Sequence, residues 1–283
     1  MNAFRSSAGR DEIRQACRNL YSRCPVPVES HFIDTGKFGR THVLIAGNPS
    51  GPPLILLHGA SNNAASWFDT FSILAGDFRL YALDVPGQPG LSGEIRPHFT
   101  DGSMGEWFEN SVHRLNLKQF HLCGRSMGGW ISLEYGFRHP ESILRMILLA
   151  PGGLAVFRRT FLFRVLPWII LGEKGLGRIN RMIYGEVPVS PEFASFTLLM
   201  YRHFRPIFEK VPIFPDELLR NISFPLLYIG GKKDPLLKTC RSATRLRNLT
   251  PGAEITILKD TAHAIRGQES SMKKFLLGDK TGE

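Results

Sequence analysis

Phe120-His121-Leu122-Cys123-Gly124-Arg125-Ser126-Met127-Gly128-Gly129-Trp130-Ile131-Ser132-Leu133 is the stretch on which the fold is decided. Phe120 to Cys123 is short and apolar enough for a buried strand, and Gly128 to Arg138 carries helical periodicity that stops at His139-Pro140. Between them stands Gly124-x-Ser126-x-Gly128. A serine on so sharp a strand-to-helix turn is held in a strained backbone conformation, and the residues two before and two after it must lack bulky side chains. That geometry lifts the hydroxyl of Ser126 out at the carboxyl edge of a sheet.

A serine hydroxyl is a poor nucleophile until a base takes its proton, and the base needs a carboxylate to hold its tautomer. Both are expected further along the chain. The apolar run Leu226 to Ile229 leads into Gly230-Gly231-Lys232-Lys233-Asp234-Pro235, and Ile255 to Leu258 leads into Lys259-Asp260-Thr261-Ala262-His263. Asp234 is the expected acid and His263 the expected base; Asp260, three residues from the histidine, is the rival carboxylate. An oxyanion needs two backbone N–H donors. Met127, which follows the serine at a helix start, is one, and Ala60, in the His58-Gly59-Ala60 loop after Leu56-Leu57, is the other. His58 is expected to shape that loop by hydrogen bonds. Asp84, in Asp84-Val85-Pro86-Gly87, is expected to organise a turn.

Outward from these loops, short apolar runs alternate with longer periodic ones, the pattern of strands joined by crossover helices. His31–Asp34 and Thr41–Ala46 read as a hairpin around Gly36–Gly39. Leu54–Leu57, Arg79–Val85, Phe120–Cys123, Ile143–Leu149, Pro225–Ile229 and Glu254–Leu258 read as further strands, with helices over Ser66–Leu74, Met104–Leu115, Gly128–Arg138, Lys238–Leu249 and Met272–Leu277. The rhythm fails from Pro151 to Pro215, where Phe157, Phe161, Phe163, Trp168, Phe193, Phe196 and Phe204 accompany helical periods and no clear strand. The expected organisation is an N-terminal extension (1–25), an α/β core (26–150 and 216–283) and a helical cap inserted at 151–215. Trp67, Phe157 and Phe161 are the aromatic residues expected to line an apolar substrate pocket.

These pieces together resemble the α/β-hydrolase superfamily, in its carboxylesterase-like branch with a helical cap. The resemblance rests on LLHGASNNAASW, YALDVPGQPGLSG, LCGRSMGGW, HPESILRMILLAP, LYIGGKKDP and LKDTAHA, which run in the family's order over residues 30 to 265. It implies an α/β fold with a mostly parallel eight-stranded sheet flanked by helices, a cap over the cleft, and neither a metal nor an organic cofactor. It also implies hydrolysis of a small-molecule carboxylic ester through an acyl-enzyme. A carbon–carbon bond hydrolase, a lactonase, a thioesterase and a cofactor-free perhydrolase reuse the same triad, and a ligand receptor on this fold keeps the pocket without turnover. Ala262 departs from the glycine that usually precedes the histidine. Arg125 occupies the elbow's variable position and is expected to pair with a neighbouring carboxylate.

Composition narrows the rest. The chain has 283 residues, 43% hydrophobic, and its most apolar helical segment, Phe161 to Leu171, is interrupted by Arg164 and Pro167. A core of ordinary size is expected and a membrane-spanning helix is not. The N-terminal residues carry no signal-peptide pattern, so the expected compartment is the cytoplasm, with a monomer or homodimer. Cys17, Cys24, Cys123 and Cys240 lack metal-ligand spacing, which suits reduced thiols. The net charge of +10 is unevenly spread: nine basic and five acidic residues in 151–216, twelve and seven in 217–283, but seven and nine in 51–150. No zinc-finger spacing or RNA-binding signature accompanies it, so a solvated basic surface is expected rather than a nucleic-acid partner.

Overall fold

The structure is a computed structural model that describes residues 3–158, 160–185, 191–206 and 209–278. Its strands are β1 (Val28–Asp34), β2 (Arg40–Gly47), β3 (Pro53–Leu57), β4 (Arg79–Leu83), β5 (Phe120–Arg125), β6 (Ile143–Leu149), β7 (Leu226–Gly231) and β8 (Glu254–Leu258). They form one eight-stranded sheet in the order β1-β2-β4-β3-β5-β6-β7-β8. The β1–β2 and β2–β4 pairs are antiparallel and all others parallel. The hairpin and the mostly parallel sheet agree with the reading of the chain.

The helices are α1 (Ser7–Tyr21), α2 (Phe68–Leu74), α3 (Ser103–Arg114), α4 (Met127–Arg138), α5 (Thr160–Ile170), α6 (Glu173–Tyr184), α7 (Pro191–His203), α8 (Asp216–Arg220), α9 (Thr239–Leu249) and α10 (Glu269–Leu277). Because successive side chains on a strand point to opposite faces, Leu54 and Leu56 of β3 enter one core and Ile55 and Leu57 the other. The first core joins Ile13 and Cys17 of α1, Phe71 of α2 and Phe275 of α10. The second joins Trp107 and Phe108 of α3, Ile131 of α4 and Leu246 of α9. Covering both faces is what lets the central strands be apolar throughout.

Helix α1 lies in the stretch read as an extension. Ser6 caps it by accepting a hydrogen bond from Gly9 N–H, and Ile13, Cys17 and Tyr21, at helical spacing, are buried against the core. Its sequence is too polar on average to announce a core helix, which is why only packing reveals it. The segment before it bridges to the end of α7: Arg5 N–H donates to His203 O and Arg205 N–H to Ala3 O. Helices α5, α6 and α7 fall between β6 and β7, in the stretch expected to be helical and strand-free; within it, residues 159, 186–190 and 207–208 lie outside the described residues.

Candidate active site

The parallel strands end on one edge, and the loops after β3, β5, β7 and β8 meet there. At the end of β5, Ser126 has φ 51° and ψ −106°. A non-glycine residue holds such a conformation only when its surroundings over-determine it. Here Ser126 N–H donates to Leu149 O, while Ser126 O accepts from Trp130 and Gly152 N–H. The flanking glycines are required by close approach. A Cβ on Gly124 would lie 2.3 Å from Gly128 O, and one on Gly128 would lie 2.1 Å from Leu57 O. Gly128→Ala is therefore expected to push α4 off the β3 loop, costing about 1–3 kcal/mol. Urea unfolding of the variant checks the number.

Ser126 Oγ lies 3.0 Å from His263 Nε2, and His263 Nδ1 lies 2.7 Å from Asp234 Oδ2. With Asp234 ionised, Nδ1 carries the proton and donates to it, which leaves Nε2 to accept from the serine hydroxyl. Asp234 is 2% exposed, and its other oxygen accepts from Leu236 and Leu237 N–H. The carboxylate is thus held from both sides and cannot rotate away from the imidazole. The two loops are laced together: Lys232 N–H donates to Leu258 O and Lys233 N–H to Thr261 O, with Gly231 so close that a Cβ would meet Ala262 O at 2.0 Å. Asp260 points elsewhere, pairing on the surface with Lys233 at 2.7 Å. From the inserted helices, Ile183 O accepts from both His263 and Ala264 N–H.

The β3 loop also approaches the serine, since a Cβ on Gly59 would be 3.4 Å from Ser126 Cβ. Among the described residues neither Ala60 N–H nor Met127 N–H has a protein acceptor, the latter because it opens α4. His58 is fully buried: Nδ1 donates to Gly59 O at 2.8 Å and Nε2 accepts from Val85 N–H at 3.0 Å. Burial holds its pKa below the ordinary range, so it stays neutral and braces the loop, as expected of it.

Asp84 organises more than a turn. Its carboxylate accepts from the Tyr21 hydroxyl at 2.8 Å, Ala64 N–H at 2.9 Å, Leu91 N–H at 2.8 Å and His42 Nδ1 at 2.9 Å. His42 Nε2 in turn lies 2.8 Å from Ser30 Oγ, so serine, histidine and aspartate occur in a second chain. Ser30 differs from Ser126 in its backbone: it sits within the edge strand β1, in register with Leu44 of β2, and has none of the positive φ that Ser126 shows. That network fixes α1, the β3 loop and the chain after β4 to one another. Nothing in the sequence marks it, because the side chains it links, Tyr21 to Asp84, His42 to Asp84 and Ser30 to His42, are 63, 42 and 12 residues apart.

Arg125 reaches back under the elbow. Its guanidinium stacks on Trp67 at 4.1 Å from the ring centroid, donates to Ser66 O at 2.9 Å, and lies 4.0 Å from a Glu269 carboxylate oxygen. The nearby carboxylate was expected; the aromatic stack was not. The stack also corrects the reading of Trp67. That ring is fully buried behind the elbow with its face covered by Arg125, so it lines no cleft. Phe157 is 39% exposed and bridges to Leu237 beside the Asp234 loop, and Phe161 is half-buried at the start of α5.

Residues 52–175 match the family described as alpha/beta hydrolase fold. Carboxylesterase YbfK of Bacillus subtilis (strain 168) is 25% identical over 259 residues, covering 89% of this chain and 87% of that one. The uncharacterized carboxylesterase nap of the same organism is 26% identical over 260 residues, covering 89% and 86%. Among solved structures, naproxen esterase (carboxylesterase NP) from Bacillus subtilis superposes with a TM-score of 0.82 at 21% identity, covering 96% of this chain and 97% of that one. The eight-stranded order, the elbow serine and the loops around it are those of the α/β-hydrolase fold. The chain is similar in sequence to these carboxylesterases over 89% of its length.

Proposed function

We propose that this protein is a carboxylic ester hydrolase working through an acyl-enzyme on Ser126. The observation that carries the reading is the unbroken chain Asp234–His263–Ser126, with contacts of 2.7 and 3.0 Å, ending at a strained serine on a helix N-terminus. Oγ attacks the ester carbonyl carbon as His263 Nε2 takes its proton. The carbonyl oxygen becomes an oxyanion held by Ala60 and Met127 N–H, which act beside the positive end of the α4 dipole. Asp234 stabilises the imidazolium that forms. The tetrahedral carbon collapses, the alcohol departs with the proton from His263, and the acyl group stays on Oγ. Water, deprotonated by His263, then attacks the acyl carbon, and the second tetrahedral carbon collapses with Oγ leaving and taking the proton back from His263 as the acid is released. Phe157, before α5, and Phe161, in its first turn, are the proposed apolar contacts to substrate. The full-length carboxylesterase relatives support this reading over the other reactions a triad performs.

The test is covalent. With p-nitrophenyl butyrate in excess over the protein, rapid mixing should release one nitrophenolate per protein in a burst, and peptide mass spectrometry should find the butyryl group on Ser126. Steady turnover with no acyl adduct at Ser126 would overturn the mechanism.

A further inference from the structure

Helix α5 is apolar on the wrong side. Val165 faces inward at 4% exposure, yet Phe163, Leu166, Pro167 and Ile170, spaced i, i+3, i+4 and i+7, form a stripe that points to solvent. Phe163 is 76% and Ile170 77% exposed. Singly exposed apolar side chains are ordinary; a full helical stripe of them marks a surface awaiting a partner. Cations border the stripe. An open cavity of about 400 Å³ between α5 and α6 is lined by Arg164, Arg178, Arg181, Trp168 and Met182, with the Arg178 guanidinium 5.6 Å from the Trp168 ring centroid.

From this juxtaposition we infer that the α5–α6 face docks on an anionic lipid surface, with Phe163, Leu166 and Ile170 entering the acyl boundary and Arg164 and Arg178 facing headgroup phosphates. Charge complementarity selects this occupant. A second copy of the chain would bring its own arginines to the same seam, and like charges there repel, whereas an anionic bilayer supplies the opposite sign. A helix of this kind lies flat in the interface, apolar face down and cations at headgroup level. The docked segment is not remote from the triad, because Ile183 at the end of α6 accepts the His263 and Ala264 N–H groups. The inference rests on the surface alone and stands whichever reaction Ser126 performs. It also gives the basic excess of residues 151–216 a physical use.

Vesicle flotation with the full-length protein tests it, comparing phosphatidylcholine vesicles with vesicles also containing phosphatidylglycerol. Trp67, Trp107 and Trp130 are buried and Trp168 is half-buried, so quenching by brominated acyl chains reports Trp168. Binding to the anionic vesicles is expected to be at least tenfold tighter than to neutral ones and to weaken with salt. The double substitution Phe163→Gln and Ile170→Gln should weaken it about a hundredfold, each lost side chain contributing about tenfold. Both sites are on the surface, so the melting temperature should stay unchanged. Arg164→Gln with Arg178→Gln should abolish the preference for anionic lipid. Equal binding to both vesicle types, or full binding by the Phe163/Ile170 variant, would overturn the inference. So would a dimer that the same variant dissociates, or binding to random DNA as tight as to anionic vesicles.

Discussion

Ser126→Ala is expected to lower kcat for p-nitrophenyl esters by about a millionfold, to the background set by the oxyanion donors and binding alone. The size follows from the geometry. Once Oγ is gone the acyl group has no acceptor, and His263 and Asp234, though still 2.7 Å apart, have no proton to move to a productive place. Their contributions vanish with that of the serine because the three act as one unit. Asp234→Asn should cost less, about ten-thousandfold, because the nucleophile remains and the histidine is left in the wrong tautomer. Steady-state kinetics on both variants, beside a melting curve to show the fold intact, decide the matter. A Ser126→Ala enzyme within tenfold of wild type would rule out this serine.

Asp84→Asn is expected to destabilise the fold by about 3–5 kcal/mol, a drop of roughly 10 °C in melting temperature, without touching a residue of the triad. The carboxylate is buried and accepts from Tyr21, Ala64, Leu91 and His42. An amide NH2 group in place of Oδ2 would face Leu91 N–H and His42 Nδ1 and accept from neither. Burial alone would raise the Asp84 pKa, but the hydrogen bond and charge of His42, the neighbouring His58 and the Leu91 N–H outweigh it and hold the group at about 2. The folded-state pKa thus lies below the unfolded value of 3.8. The stability this supplies, about 2 kcal/mol, is fully present above pH 3.8 and is lost as pH falls towards 2. Urea unfolding of wild type and variant should accordingly show a stability gap that narrows by about 1 kcal/mol between pH 6 and pH 3. A gap that stays constant over that range would show that the charge of Asp84 does not contribute.

Much of the fold was legible because strand and helix periodicities are local. Ile143–Leu149 and Glu254–Leu258 coincide with observed strands to the residue, and the hairpin before them was marked by its glycines. Boundaries shifted where hydrogen bonds rather than hydropathy end an element: β5 runs on to Arg125, and the helix read from Ser66 begins as a tight turn at Ala64–Trp67. Helix α1 escaped notice because only every fourth residue or so is apolar, and its polar face dominates the average.

At the site, the residue types and their order along the chain determined where to look: a serine that only a glycine-flanked turn accommodates, then an acid and a histidine at strand ends. That logic holds in sequence because backbone sterics and strand-end placement are short-range constraints. What only the tertiary structure decided is which groups touch. It set Asp234 rather than Asp260 against His263, buried Trp67 beneath Arg125, and gathered Tyr21, His42 and Asp84 into one network. It also turned an apolar stripe of α5 outward, where periodicity alone reads either face of a helix as the core. Contacts between residues far apart in the chain depend on how whole layers pack, and packing is a property of the assembled sheet and its helices, not of any one segment.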